Sequence, residues 1–448
     1  MEKTKLGKVA DVIGAALPQG MDGGFAVSEA AAYLDGVTPG CLYFELEPGT
    51  AETALQCGAA AVVCRGEGAG MITAADPVEA LNRLAAWHRR LFQTWIIGIT
   101  GSVGKTMVKD IVHDLLQLDG GAKKSSWALE GEAGLPLALL GLDWSDRNAV
   151  LEIGFTRPGN IGQMSRIIRP SAALITCVGT GHLTQCGGRE ALLAEKLSVT
   201  EGMNVSSPLI LNGDDDLLQR ACERISQEKI TYGLDSPWVD VQGRILSQNL
   251  QGSELEVSCY GKKERLQVPL WGKLGARNAL AAFTVGIVAG LDTGAIARCI
   301  SAFRPALHSQ SVLSFEGVTV LDDNDSSSPE SMREALRYLE QLPARRRVAV
   351  LGEMPDLGET AENAHRAIGR RAAQCGADLI CCLGPYAEAI AVEADRMGGT
   401  RALTFTSRES LVTFLQNDRK AGDAVLVKGS RDQKMEEIIP LVWGTESQ

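Results

Sequence analysis

The chain has 448 residues, of which 45% are hydrophobic and 22% charged, and it carries a net charge of −11. That length is too great for one core and suggests about three domains, in a composition ordinary for a soluble globular protein. The acidic balance leaves no Lys/Arg excess to neutralise phosphates, which excludes an electrostatic nucleic-acid binder. The eleven cysteines are scattered without a C-x-x-C pair, as expected of a reducing compartment rather than a disulfide framework. No run of 18 apolar residues occurs and the first twenty residues lack an apolar h-region. A cytoplasmic protein with no membrane partner is therefore expected.

Residues 1–93 alternate short apolar runs (Cys41–Phe44, Ala59–Val63) with helical stretches such as Pro77–Leu91, and read as a small α/β domain. Residues 94–303 begin with strand–helix repetition. Trp95–Ile99, Ala149–Ile153, Ala172–Val178 and Pro208–Leu211 are buried-strand candidates, which predicts a parallel sheet covered by helices on both faces. Val239–Val268 then alternates apolar and polar residues, as antiparallel strands do, before an alanine-rich helix over Asn278–Leu291. Residues 304–448 form a third α/β block with strands at Val318–Leu321, Val348–Leu351, Leu379–Leu383 and Ala424–Val427. The basic run Arg345–Arg347 precedes one of these strands and reads as a solvated loop.

The most informative segment is Ile96-Ile-Gly-Ile-Thr-Gly-Ser-Val-Gly-Lys-Thr106. It is a strand, a glycine-rich turn and a helix start closing on Gly104-Lys105-Thr106. Backbone N–H groups of such a loop (Thr100, Gly101, Ser102, Gly104) point at phosphate oxygens, aided by the helix N-terminus. Lys105 reaches the terminal phosphates and the Thr106 hydroxyl suits Mg²⁺. The pattern departs in one place, with Ile99 where a glycine is usual.

Other candidates fall at predicted strand ends, where open α/β sheets bind ligands. Glu152 could be the acidic Mg²⁺ ligand or a strand-end salt bridge. His182, in a glycine-rich turn, reads on its own as a surface residue or a functional one. Lys196 alone reads as a solvated helix lysine. Asp322 and Asp323 could bind ribose or metal, or help cap the helix after Pro329, with Ser327 or Ser328 the better caps. Lys428-Gly-Ser430-Arg431 could contact phosphate or carboxylate, or form a surface turn.

The order of these motifs resembles the Mur ligase family over essentially the full length. The matching text runs from Ile99–Thr106 through Glu152-Ile-Gly, Arg157-Pro-Gly-Asn-Ile161, Gly181-His182 and Ala194-Glu-Lys196. It continues with Leu211-Asn-Gly-Asp-Asp215, Asn278-Ala-Leu-Ala-Ala282, Asp322-Asp323, Val350-Leu-Gly-Glu-Met354 and Val427-Lys-Gly-Ser-Arg431. The resemblance implies three domains: a UDP-sugar domain at 1–93, a P-loop ATPase domain at 94–303, and a Rossmann-like domain at 304–448 that binds the incoming amine and closes on ATP. It also implies an ATP- and Mg²⁺-dependent monomer that activates an acid as its acyl phosphate and joins it to an amine. The acid would be a UDP-muramoyl-peptide or a related compound, and the amine an amino acid or a dipeptide such as D-alanyl-D-alanine. Lys105, Lys196 and His182 would be catalytic. Two Mg²⁺ ions would be bound: Thr106 and Glu152 would hold one, His182 would help hold the other, and Lys196, as its carbamate, would bind metal. Asn278, Asp322 and Asp323 would contact the nucleotide, and Lys428, Ser430 and Arg431 the substrate.

Departures from the family pattern cluster away from the phosphates. The family's His-Asn before the alanine-rich helix is Leu274-Gly275, and its nucleotide-contacting arginine falls on Ser309. The two asparagines of the loop after Asp323 are Ser326 and Ser328, and the UDP-sugar Asp-Ser-Arg falls on Tyr33-Leu34-Asp35. Paired asparagines expected before Gly134 fall on Glu130-Gly131. A ligase for another acid, or a homologue with a regulatory role, is the alternative these changes raise.

Overall fold

The computed structural model describes residues 1–125, 132–181 and 183–444. Three sheets organise it. Ala30–Ala31, Leu42–Phe44, Ala61–Cys64 and Met71–Thr73 form a four-stranded parallel sheet, joined by a two-stranded ribbon of Thr4–Lys5 and Ala26–Val27. The second sheet has nine strands. Its parallel portion runs Val241–Asn249, Lys229–Gly233, Leu209–Asn212, Ala172–Ile175, Trp95–Thr100, Asn148–Glu152, Ala122–Lys124. Gly252–Cys259 and Lys262–Val268 extend it in antiparallel fashion. The third sheet has six strands, parallel except for the edge pair Ser311–Phe315 and Val318–Asp322.

Period and burial explain the difference between the sheets' two halves. Strands such as Ala172–Ile175 and Leu209–Asn212 are buried at every position, as parallel strands under two helical layers must be. Gly252–Cys259 alternates partly exposed and buried positions over much of its length, as a strand with one solvated face does. One apolar cluster joins the small N-terminal sheet to one face of the central sheet, and a second fills the other face beneath helices Lys105–Leu116 and Gly272–Val288. Small side chains along Gly272–Val288 allow close packing on the P-loop helix. Two further clusters cover the two faces of the C-terminal sheet.

Helix starts carry the expected capping chemistry. Asp76 accepts from the N–H groups of Val78 and Glu79 ahead of Pro77, and Ser328 exchanges hydrogen bonds with Ser331 ahead of Pro329. The basic run is not a solvated loop. Arg346 opens the strand Arg346–Leu351 and pairs with Asp418 and Asp423, each at 2.6 Å, and those carboxylates hold its guanidinium well above the usual range. Strands Ala122–Lys124, Lys229–Gly233, Ser311–Phe315 and Arg401–Phe405 lie outside the sequence expectation. All but Lys229–Gly233 are sheet edges, and each is short and lacks a long apolar run. Among the described residues no helix is long and apolar enough to cross a membrane.

His88 ties the N-terminal segment to the central layer. Its Nε2 accepts from the Glu2 N–H at 2.7 Å, so Nδ1 carries the proton and donates to the Leu139 carbonyl at 2.9 Å. Both ring nitrogens are thus used by the neutral form, and burial pushes the pKa down from 6.5 to about 4. The unfolded chain therefore binds a proton that the folded chain refuses, and stability falls as pH drops from 6.5 towards about 4. Urea unfolding across that interval should reveal this slope, and His88→Gln should flatten it. An unchanged slope in the variant would refute the assignment.

Candidate active site

The strand Trp95–Thr100 runs beside Ala172–Ile175 and Asn148–Glu152, so three parallel strands end at the same edge. The loop starts only at Gly101, which explains the missing glycine. Ile99 is still a fully buried strand residue with no turn to make. Gly101 (φ 143°) could not carry a Cβ, which would come within 1.9 Å of Thr176 Oγ1. Gly104 (φ 86°) is pressed likewise against Asn278, whose Oδ1 would be 2.3 Å from a Cβ. Three contacts pin the loop between them: Ser102 N–H to the Cys177 carbonyl, Thr176 Oγ1 to the Val103 carbonyl, and Gly179 N–H to Ser102 Oγ.

Lys105 and Thr106 open the helix Lys105–Leu116, and Thr106 Oγ1 donates to Glu152 at 2.9 Å. A third partner escaped the sequence reading. Lys109, one turn further along and almost fully buried, places Nζ 3.5 Å from Glu152 Oε2. Its spacing from Lys105 was visible, but nothing in a single sequence says that this lysine turns inward. The Glu152 N–H donates to Ser125 Oγ at 3.0 Å, which fixes the strand end.

Lys196 is not the solvated lysine its sequence context suggests. Only 1% of it is exposed. Burial first, and then the positive charge of Lys105, push its pKa down from 10.5 to about 8. The neighbouring Glu195 explains how it is placed. Its carboxylate accepts from the N–H groups of Gly159 (2.7 Å) and Ile161 (3.0 Å), locking the helix Arg189–Leu197 onto the start of Asn160–Ile168. The Leu211–Asp215 segment braces the central strand end. Asn212 Nδ2 donates to the Thr176 carbonyl and Asp215 accepts from Val178 N–H. His182, Glu130 and Gly131 lie outside the described residues.

Residues from the C-terminal sheet face this edge across a cleft of about 480 Å³. Ser102, Gly104, Lys105, Thr106, Glu152 and Asn278 line one wall; Ser309, Gln310, Asp323, Ser326, Lys428, Ser430 and Arg431 line the other. Thr100 and Gly101 are buried and are not among the residues lining the cleft. Asp322 is buried away from the cleft, bonded to His308 Nδ1 and Asn324 Nδ2 at 2.7 Å each, and burial raises its pKa. Asp323 and Lys428 form a buried pair at 2.6 Å, and Lys428 Nζ also donates to the Ser326 carbonyl at 2.8 Å. Lys428 therefore braces the loop after Asp323 as well as facing the cleft. Arg431 pairs with Asp325.

The cleft is held closed from one side. Thr180 donates its N–H (2.9 Å) and its hydroxyl (2.7 Å) to Glu330, on the first turn of Pro329–Gln341. Trp271 stacks on Tyr338 of the same helix with ring centroids 4.8 Å apart, and the Tyr338 hydroxyl donates to the Asn249 carbonyl. Glu330 was not anticipated because its partner lies 150 residues away.

Thr106 and Glu152 present a hydroxyl and a carboxylate side by side, an oxygen donor set that fits Mg²⁺. Among the described residues no group of three or more His, Cys, Asp or Glu converges on one point.

A P-loop, an acidic strand end beside it and a second α/β body closing over both define a class: a nucleotide-dependent enzyme whose reaction occurs in an interdomain cleft. Sequence comparison narrows that class. Residues 99–286 match the Mur ligase middle domain, and residues 309–431 match the Mur ligase glutamate ligase domain. The chain is 30% identical over 376 residues to the UDP-N-acetylmuramoyl-tripeptide–D-alanyl-D-alanine ligase of Bacillus subtilis, covering 83% of this chain and 81% of that one. It is 32% identical over 386 residues to the Synechocystis enzyme of the same name, covering 84% and 82%. MurF from Acinetobacter baumannii superposes with a TM-score of 0.89 at 22% identity, over 99% of this chain and 100% of that one. MurF ligase from Thermotoga maritima, solved in complex with ADP, gives 0.82 at 22% identity over 92% and 96%. The chain belongs to the Mur ligase family.

A divalent cation bound at Glu152 would compete with Lys109 for its carboxylate. Lys109→Met should lower stability by about 1–3 kcal/mol in the absence of divalent cation, because Glu152 loses its buried counter-charge. Mg²⁺ with nucleotide should then raise the melting temperature of the variant more than that of the wild type. Equal Mg²⁺ responses would rule out the competition.

Proposed function

We propose that this Mur-type ligase uses ATP to join the tripeptide carboxylate of a UDP-N-acetylmuramoyl-tripeptide to the amine of D-alanyl-D-alanine, in the cytoplasm and as a monomer. The observation that carries the reading is the convergence, in one cleft, of the Gly104–Thr106 loop, the Thr106–Glu152 pair and the Lys428–Arg431 segment from the opposite sheet. The substrates of the Bacillus subtilis and Synechocystis enzymes, as their names give them, support this choice, since the match spans four-fifths of each of those proteins.

A carboxylate oxygen of the acid attacks the terminal phosphorus of ATP, the bridging P–O bond breaks, and ADP leaves. The amine nitrogen then attacks the acyl carbon, the C–O bond to phosphate breaks, and the amine gives up a proton as the amide forms. Lys105 offsets charge on the phosphoryl group as it transfers. Thr106 and Glu152 would hold Mg²⁺, which supplies further charge compensation at the phosphates when bound. Lys196 is buried next to the charge of Lys105, and both effects favour its neutral amine. A neutral amine is the form that adds CO₂, forming an N–C bond and releasing a proton, to give a carbamate. The carbamate would bind metal, and His182 would help hold a second Mg²⁺. Residues 1–93 would hold the UDP-sugar, 94–303 the ATP, and 304–448 the incoming amine through Ser430 and Arg431.

Two measurements test this. With Mg-ATP and both substrates, phosphate release should depend on D-alanyl-D-alanine and yield a product whose mass is the sum of the reactants less one water. Lys105→Ala should cut the rate by at least about 100-fold. Phosphate release without the amine, or no product while a homologous ligase turns over alongside, would defeat the assignment and favour a regulatory homologue. For Lys196, a ¹³C carbamate resonance should appear with labelled bicarbonate and vanish in Lys196→Ala; a resonance that persists in the variant would place the carbamate elsewhere.

A further inference from the structure

Lys105 lines the cleft together with the uncharged residues Leu274, Ser309, Gln310 and Ser326. Gln310 is unusual among these. It is only 7% exposed, and its side-chain carbonyl oxygen is buried with no hydrogen-bond partner. Leaving a buried acceptor empty is costly, so such a group calls for a ligand donor.

The surroundings hold Gln310 in this position. Its backbone lies in the left-handed region (φ 51°), as does that of His308 (φ 64°), with Ser309 between them. Two non-glycine residues with positive φ persist only where neighbours over-determine them, and such positions concentrate at ligand sites. Here the Gln310 N–H donates to Asp323 Oδ1, and Asp323 is itself clamped by Lys428. The His308 carbonyl accepts from the N–H groups of Asn324 (2.7 Å) and Asp325 (3.0 Å).

Room for the amide comes from Gly275. A Cβ at that position would lie 2.9 Å from Gln310 Oε1 and 2.6 Å from the Leu270 side chain. The residue that removes a side chain from the central wall and the residue that supplies an amide from the opposite wall thus occupy the same space.

We infer that Gln310 reads the nucleotide base, its side-chain carbonyl accepting from the exocyclic amine of a 6-aminopurine while the phosphates lie at Lys105. This rests on the ATP cleft proposed above. An amide offers an acceptor beside a donor, the complement of the amino group and adjacent ring nitrogen of adenine. A site built around such a bond rejects an analogue lacking the partner group, because the buried acceptor is then left empty.

The test compares binding of ATP with that of purine riboside triphosphate, which lacks the 6-amino group, and uses the full chain. Wild type should bind ATP at least about tenfold more tightly than the analogue. Gln310→Met, of similar volume but without polar atoms, should bring the two within about twofold, while inorganic tripolyphosphate competes as before. Gln310→Glu keeps an acceptor, so it should retain the preference for ATP even where overall affinity falls; it also keeps the test open if the Met variant fails to fold. A preference unchanged in Gln310→Met, or lost in Gln310→Glu, overturns the inference. If wild type shows no Lys105-dependent binding of any triphosphate, the ATP-cleft reading fails first.

Discussion

The carboxylate of Glu152 is the point on which the active edge of the central sheet is organised. It is gripped by two residues from successive turns of the P-loop helix, a hydroxyl from Thr106 and an ammonium from Lys109. The grip fixes the helix against the neighbouring strand and so fixes where the loop's N–H groups point. It also settles the charge of the site before any ligand arrives, because a half-buried carboxylate alone at a strand end would be poorly solvated. A divalent cation entering beside a phosphate chain would therefore exchange one partner of Glu152 for another rather than create the charge arrangement anew.

The rest of the cleft divides by chemistry. At the phosphate end, glycines 101 and 104 are forced by contacts with Thr176 and Asn278, leaving no freedom for side chains. Elsewhere the cleft is lined by Leu274, Ser309, Gln310 and Ser326, and the asparagine and arginine expected from the family resemblance fall on Gly275 and Ser309. Phosphate contacts supply charge-driven affinity, whereas uncharged contacts decide orientation and discrimination. Change in the second set therefore leaves the first intact, and the motif is preserved while its flanking contacts are rebuilt.

Much of this was legible in the chain. The buried parallel strands announced themselves as continuous apolar runs, the Gly-Lys-Thr loop as a phosphate cradle, and Ser328 as a helix cap. Short edge strands such as Ala122–Lys124 lacked an apolar run and were missed. Arg346 was read as solvated because its partners Asp418 and Asp423 lie more than 70 residues ahead. Lys196 and Lys109 show the same limit in the active site. A lysine on a helix looks alike in sequence whether it turns to water or to the core, and only tertiary packing separates the two. Gln310 gave no signal at all, since its role depends on a side chain absent from residue 275.

The double hydrogen bond from Thr180 to Glu330 bears on how the cleft opens. Both donors come from the turn next to the P-loop and both end on one carboxylate oxygen of the opposing body, so they make and break together as one latch beside the Trp271–Tyr338 stack. The other carboxylate oxygen is buried and unpartnered, so the latch is incompletely satisfied even when shut. Opening would let that oxygen hydrate, which offsets part of the cost of breaking the two bonds. Separating the two bodies at this rim would also part the Trp271–Tyr338 stack and the Tyr338–Asn249 bond, so resistance to opening is shared between a polar and an aromatic contact.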